Sequence, residues 1–107
     1  MERRKFTRFT ITQAVELQFG RERFIHVEAT DLSRGGIGCV SIEPVDLHTD
    51  VFVMVNLVRN DQTDSITANA HVVRCESNPD GRYSLGLEFT SMLGSSEALL
   101  LAHLDAT

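Results

Sequence analysis

The chain has 107 residues, 42% of them hydrophobic and 23% charged, which excludes a disordered or collagen-like polymer and leaves room for one domain with one core. No apolar run approaches the roughly 18 residues of a membrane span, and the N-terminus lacks the apolar stretch of a signal peptide, so the sequence predicts a cytoplasmic protein that does not insert into membranes. The net charge of −5 is unevenly spread: Arg3, Arg4, Lys5 and Arg8 stand against Glu2 in the first eight positions, giving that segment +3 and leaving −8 for the other 99 residues.

That imbalance divides the chain into a flexible basic arm, residues 1–8, and a body, residues 9–107. In the body the dominant pattern is alternation. Phe9, Ile11, Val15, Leu17 and Phe19 share one parity, and Ile25, Val27 and Ala29 repeat it after the polar turn "GRER", as half-buried strands do. A third strand, "GIGCVSI", stops at Glu43-Pro44, because proline has no N–H for a ladder. The fourth, "DVFVMVNLV", is apolar on both parities, which fits burial on both faces or an ambiguous register. "SITANAHVVRC" and "RYSLGLEF" follow the turns "RNDQTD" and "SNPDG", the second with the Pro-Asp-Gly chemistry of a tight turn. The phenylalanines fall mostly on the parity of the core.

The period then changes. "SSEALLLAHL" offers Ser95 or Ser96 as an N-cap, Glu97 in the first turn, and Leu100, Leu101 and Leu104 on one side of a short terminal helix. Six short strands without intervening helices point to a small antiparallel barrel or sandwich, because parallel strands need long crossovers.

Three features bear on chemistry. Cys39 and Cys75, the only thiols, lie in apolar strand segments without metal or redox spacing, so they read as buried free thiols. His26, His48, His71 and His103 are scattered, and no metal site or catalytic group is predicted. "DLSRGGIG" (31–38) has three glycines in four residues. Its glycines let a main chain turn sharply and be approached closely, while Asp31 and Ser33 either cap that turn or reach a ligand.

Arg4-Lys5-Phe6-Thr7-Arg8 followed by Asp31-Leu32-Ser33-Arg34-Gly35-Gly36 resembles the two-part signature of the PilZ domain family, Arg-x-x-x-Arg and then Asp/Asn-x-Ser-x-x-Gly. The resemblance implies an all-β fold, a six-stranded antiparallel β-barrel with a short C-terminal α-helix, and a receptor for cyclic di-GMP rather than an enzyme. By the resemblance, Arg4 and Arg8 hold the dinucleotide, Arg3 adds a third guanidinium, Asp31 and Ser33 meet a guanine, and Gly36 keeps the loop open. The chemistry is apt, since a guanidinium pairs with phosphate oxygens or the O6/N7 edge of guanine and stacks on a base. Secondary contacts are expected from Lys5 through general electrostatics, from Arg34 at the variable position, from Gly35 in the loop, and from Arg74, which either stacks on a base or is a solvated strand charge. The expected output is a closed arm that presents a changed surface to an unidentified effector protein. Two alternatives stay open: a PilZ-like adaptor that does not bind cyclic di-GMP, and a small barrel for single-stranded nucleic acid. The acidic body disfavours DNA, and the absence of Trp leaves few stacking platforms.

Overall fold

The computed structural model describes residues 9–19, 23–59 and 62–105. Arg3, Arg4, Lys5 and Arg8, with the arm assigned to 1–8, lie outside the described residues.

Six strands form in chain order: β1 (Phe9–Phe19), β2 (Arg23–Leu32), β3 (Gly36–Ser41), β4 (Asp50–Arg59), β5 (Gln62–Ser77) and β6 (Tyr83–Met92). They close into an antiparallel barrel in the order β1-β2-β3-β6-β5-β4. Closure pairs β1 with β4, Val15 opposite Val55 and Leu17 opposite Val53. With every strand paired on both sides, the barrel has no free edge.

Alternation fills the interior as the sequence predicts. Leu17, Val27, Ala29, Ile37, Cys39, Val53, Val55, Ile66, Ala70, Val72, Leu85 and Leu87 belong to one buried cluster. One sequence expectation is corrected. β4 buries one face only: Val51, Val53, Val55 and Leu57 point inward, Phe52 is half-buried and Met54 is exposed. Of the phenylalanines whose side chains are described, Phe24 is exposed, Phe52 is half-buried, and Phe89, also half-buried, packs against the core cluster. A six-stranded barrel is narrow, and among the described residues most buried side chains are aliphatic, with alanine at positions 29, 68 and 70.

The helix α1 (Ser96–Asp105) follows a turn at Gly94, whose φ of +59° favours glycine. Ser95 O accepts the amide of Leu99, whereas the Ser96 hydroxyl turns away to accept the amide of Thr67 on β5 at 2.9 Å. Ser96 therefore pins the helix to the sheet. Helix side chains can reach the interior of a closed barrel only through a mouth; Leu100 and Leu104 do so, with Leu99 packed beside them. Leu101, expected on the same side, is only half-buried.

Cys39 and Cys75 are free, the first buried and the second half-buried. Each pairs with Leu85 from opposite sides of β6, which sets their Cα atoms about 10 Å apart, two inter-strand spacings. That exceeds the ~7 Å limit for a disulfide.

Candidate functional site

The site grows out of two register shifts. Between Thr10/Asp31 and Gln13/Ala29, β1 carries two residues against one of β2, a bulge that twists the strand locally. β2 shifts against β3 between Ala29 and Asp31. Leu32 consequently turns into the core, and Asp31 stays half-buried on the outside.

Asp31 stands opposite Gly38 of β3, Gly38 opposite Gly86 of β6, and Gly86 opposite Arg74 of β5. Because Ile37, Cys39, Leu85 and Leu87 point inward, Gly38 and Gly86 present their α-carbons outward. Neither needs a left-handed backbone; what each needs is space. A methyl group on Gly38 would stand 2.6 Å from Asp31 Oδ2, and one on Gly86 would stand 3.2 Å from both Cβ and Nε of Arg74. The carboxylate and the guanidinium thus lie over a floor of two glycines from its two ends, across about 14 Å of four strands. Thr30 Oγ1 donates to Asp31 Oδ2 at 3.3 Å, and Arg74 Nη1 lies 3.6 Å from Glu76 Oε1.

Cys39 lies beneath this floor. Its thiol is pushed up to about 12, chiefly by burial, further by the Asp31 charge, and against the opposing pull of Arg74. In the unfolded chain the thiol ionises near 9.0, so above that pH the unfolded state holds fewer protons and folding stability falls. Stability from this group is complete below pH 9 and is lost as pH rises toward 12, at about 1.4 kcal/mol per pH unit. Urea unfolding of the natural chain and Cys39→Ala across pH 8–11 is expected to show this slope as the difference between them; parallel curves overturn it.

The loop between β2 and β3 is built around Ser33. Its amide donates to Gly36 O at 3.0 Å, and its hydroxyl accepts from the Gly35 amide at 3.3 Å and donates to Gly36 O at 3.4 Å. Ser33 is buried, and its hydroxyl is engaged in holding the turn. Gly35 O accepts the amide of Phe89 at 2.9 Å, which ties the loop to β6, while Arg34 is exposed. Gly36 supplies close approach rather than a sharp turn, since a methyl group there would stand 2.1 Å from Leu87 O. One step along the face, His71 Nε2 lies 3.1 Å from Glu88 Oε1, with Asp50 opposite His71.

Asp31, Gly35, Gly36 and Arg74 therefore gather on one outer face, and the loop brings Ser33 to its edge. β1 begins there as well, because Phe9 stands opposite Leu32. Gly86 is the residue that sequence reasoning passed over. Its signal was present: a glycine inside the alternating strand "YSLGLEF" marks a close approach by something else.

A closed six-stranded antiparallel β-barrel with one short C-terminal helix is a PilZ-like fold. The PilZ domain model matches residues 2–106, and the chain belongs to the PilZ domain family. Among solved structures it is similar to the Bacillus subtilis inhibitor of motility MotI/DgrA (TM-score 0.85, 21% identity, covering 99% of this chain and 51% of that one). It is also similar to the PilZ domain of Escherichia coli YcgR with c-di-GMP (TM-score 0.73, 15% identity, 97% and 91% covered) and to the K. pneumonia MrkH–c-di-GMP complex (TM-score 0.70, 13% identity, 97% and 52% covered). The chain spans about half the length of the MotI and MrkH chains. No curated protein is similar enough to this chain to count as a match.

Proposed function

We propose that this chain is a receptor for cyclic di-GMP, which lies against the Gly38–Gly86 floor while the arginine arm closes over it. The observation that carries the reading is the floor itself, two glycines over which the Asp31 carboxylate and the Arg74 guanidinium lie from its two ends, with β1 beginning beside Leu32. Two similar PilZ structures contain this dinucleotide, which lends the ligand further support.

Asp31 accepts N1–H and N2–H of one guanine, as a carboxylate's two oxygens allow. Arg74 lies along Gly86, its Nε 3.2 Å and its Nη2 3.7 Å from where a methyl group there would stand, and its guanidinium stacks on a base. Arg4 and Arg8 take phosphate oxygens or the O6/N7 edge of guanine, with Arg3 as a third guanidinium and Lys5 adding general attraction. Ser33 and Gly36 act through the loop, the first by fixing its turn and the second by bringing it against β6; Gly35 and Arg34 complete its rim.

Ordering the eight arm residues costs about 1–2 kcal/mol each in backbone entropy, whereas one charge-assisted hydrogen bond returns about 1.5–3 kcal/mol. No single contact closes the arm. Several arginines acting together do, so the arm closes as a unit on a bound ligand, and the closed arm is a new surface for an effector. The reading puts the domain in the cytoplasm, as a binding protein rather than a catalyst.

Calorimetric titration with cyclic di-GMP tests this on the natural chain and on Arg8→Ala. The natural chain is expected to bind saturably, and Arg8→Ala at least tenfold more weakly with an unchanged melting temperature. Equal binding by both removes Arg8 from the site, and absence of binding by the natural chain removes the receptor reading.

A further inference from the structure

The outer face that holds the glycine floor carries a second arginine, one that neither sequence motif supplies. Arg82 stands at the end of the turn between β5 and β6, and both of its backbone groups are engaged. Its amide donates to Asp80 Oδ1 at 2.9 Å, and its carbonyl accepts the Asn78 amide at 2.8 Å. Gly81 before it, at φ 88°, donates to Asn78 O at 3.1 Å, and Ser84 Oγ donates to Asn78 Oδ1 at 3.0 Å. From this fixed base the exposed side chain reaches Glu28 of β2, its Nη1 3.9 Å from Oε1. β3 lies between β6 and β2 in the barrel, so Arg82 crosses a whole strand to make the contact.

That contact falls on the row next to the floor. Glu28 stands opposite Val40, Val40 opposite Ser84, and Ser84 opposite Glu76, two residues, or about 7 Å, along the strands from Gly38 and Gly86. Glu76 holds Arg74 as Glu28 holds Arg82. The row therefore begins and ends in a glutamate matched by an arginine. The row on the floor's other flank, Gly36–Glu88–His71–Asp50, sets two carboxylates beside a histidine. A ring of two nucleotides is wider than one row of a sheet, so on this floor it overhangs a flank. A dianion favours the flank whose carboxylates are already matched by guanidinium groups.

We infer, resting on the receptor reading above, that Arg82 is a further ligand-binding residue whose guanidinium leaves Glu28 for a phosphate of the dinucleotide. An exposed pair at 3.9 Å is weak, whereas a phosphate offers the planar fork two charge-assisted hydrogen bonds. Because the turn fixes the backbone, only the side chain has to reorient. Glu28 competes for the arginine in the free chain, and the bound ligand is gripped from the flank away from the motif loop.

Calorimetric titration with cyclic di-GMP across a salt series tests this. Arg82→Ala is expected to bind roughly tenfold or more weakly than the natural chain, with a shallower salt dependence, as loss of a charge-assisted contact requires. Glu28→Gln frees the same arginine and is expected to bind severalfold more tightly. Arg82→Lys keeps the charge without the fork and should recover only part of the loss. Arg23→Ala removes an exposed arginine paired with Glu43, eight residues before Asp31 on β2, and should leave affinity unchanged. In the natural chain the Arg82 Nε–Hε resonance is expected to shift on saturation, a readout that does not depend on how any variant folds. If the natural chain binds while Arg82→Ala binds equally well, Glu28→Gln binds no better, or Arg23→Ala loses as much as Arg82→Ala, the assignment of Arg82 is overturned and the receptor reading stands. A natural chain that binds nothing overturns both.

Discussion

Gly36→Ala is expected to cost at least about 3 kcal/mol of folding stability, a large share of the roughly 5–15 kcal/mol that holds a domain together. The added methyl group would stand 2.1 Å from Leu87 O, 3.2 Å from Leu87 C and 3.3 Å from Glu88 Cα. All three are backbone atoms of β6, so no side-chain rotation relieves the clash and β3 must move away. That displacement works against the ladder from Gly36–Glu88 to Ser41–Tyr83 and against the Phe89 amide on Gly35 O. A closed barrel cannot open one seam without letting water reach Ile37, Cys39, Leu85 and Leu87, which are buried on either side of it. Urea unfolding should show the lowered midpoint, and amide exchange in β3 and β6 should accelerate most. A midpoint equal to that of the natural chain would mean that the two strands are not locked together at this position.

What the sequence reveals is what depends on short spacings. The two-residue period places Val27 and Ala29, or Leu85 and Leu87, on one face without knowledge of the partner strand, and the turn residues divide the strands nearly where they end. β4 defeats this reasoning because Phe52 and Met54 are as apolar as Val53; only pairing with both β1 and β5 decides which parity faces inward. The bulges are equally silent, since they depend on a neighbouring strand's register rather than on any residue in "FTITQ". The site shows the same division. Asp31, Ser33 and Gly36 fall within six residues and stand out as a motif, whereas the Gly38–Gly86 floor joins positions 48 residues apart. Arg74, read as either a solvated charge or a base contact, gains its meaning only from lying across Gly86. Ser33 illustrates the opposite limit: its residue type fits both a capped turn and a ligand contact, and its burial places the hydroxyl on the turn.

Gly38→Ala should separate binding from folding. Its methyl group would stand 2.6 Å from Asp31 Oδ2 and 3.1 Å from Cγ and Oδ1, all at the end of a side chain that relieves the contact by rotating. The barrel should therefore stand, and the smaller entropy of the unfolded chain offsets any residual strain by about 0.4–1 kcal/mol. On the proposed reading, the rotated carboxylate loses its two hydrogen bonds to guanine. At about 1.5–3 kcal/mol each, their loss lowers affinity for cyclic di-GMP by roughly a hundredfold or more, with the melting temperature within a few degrees of the natural chain's. Gly86→Ala meets Arg74 at 3.2 Å, a contact that yields with a shift of a few tenths of an ångström, and its effect on binding should be smaller. The route through Asp31 has its own check in a double-mutant cycle. If Gly38→Ala acts by turning that carboxylate, adding it to Asp31→Ala should cost nothing more; if the two losses add in full, the glycine serves the ligand directly and the carboxylate is a separate contact.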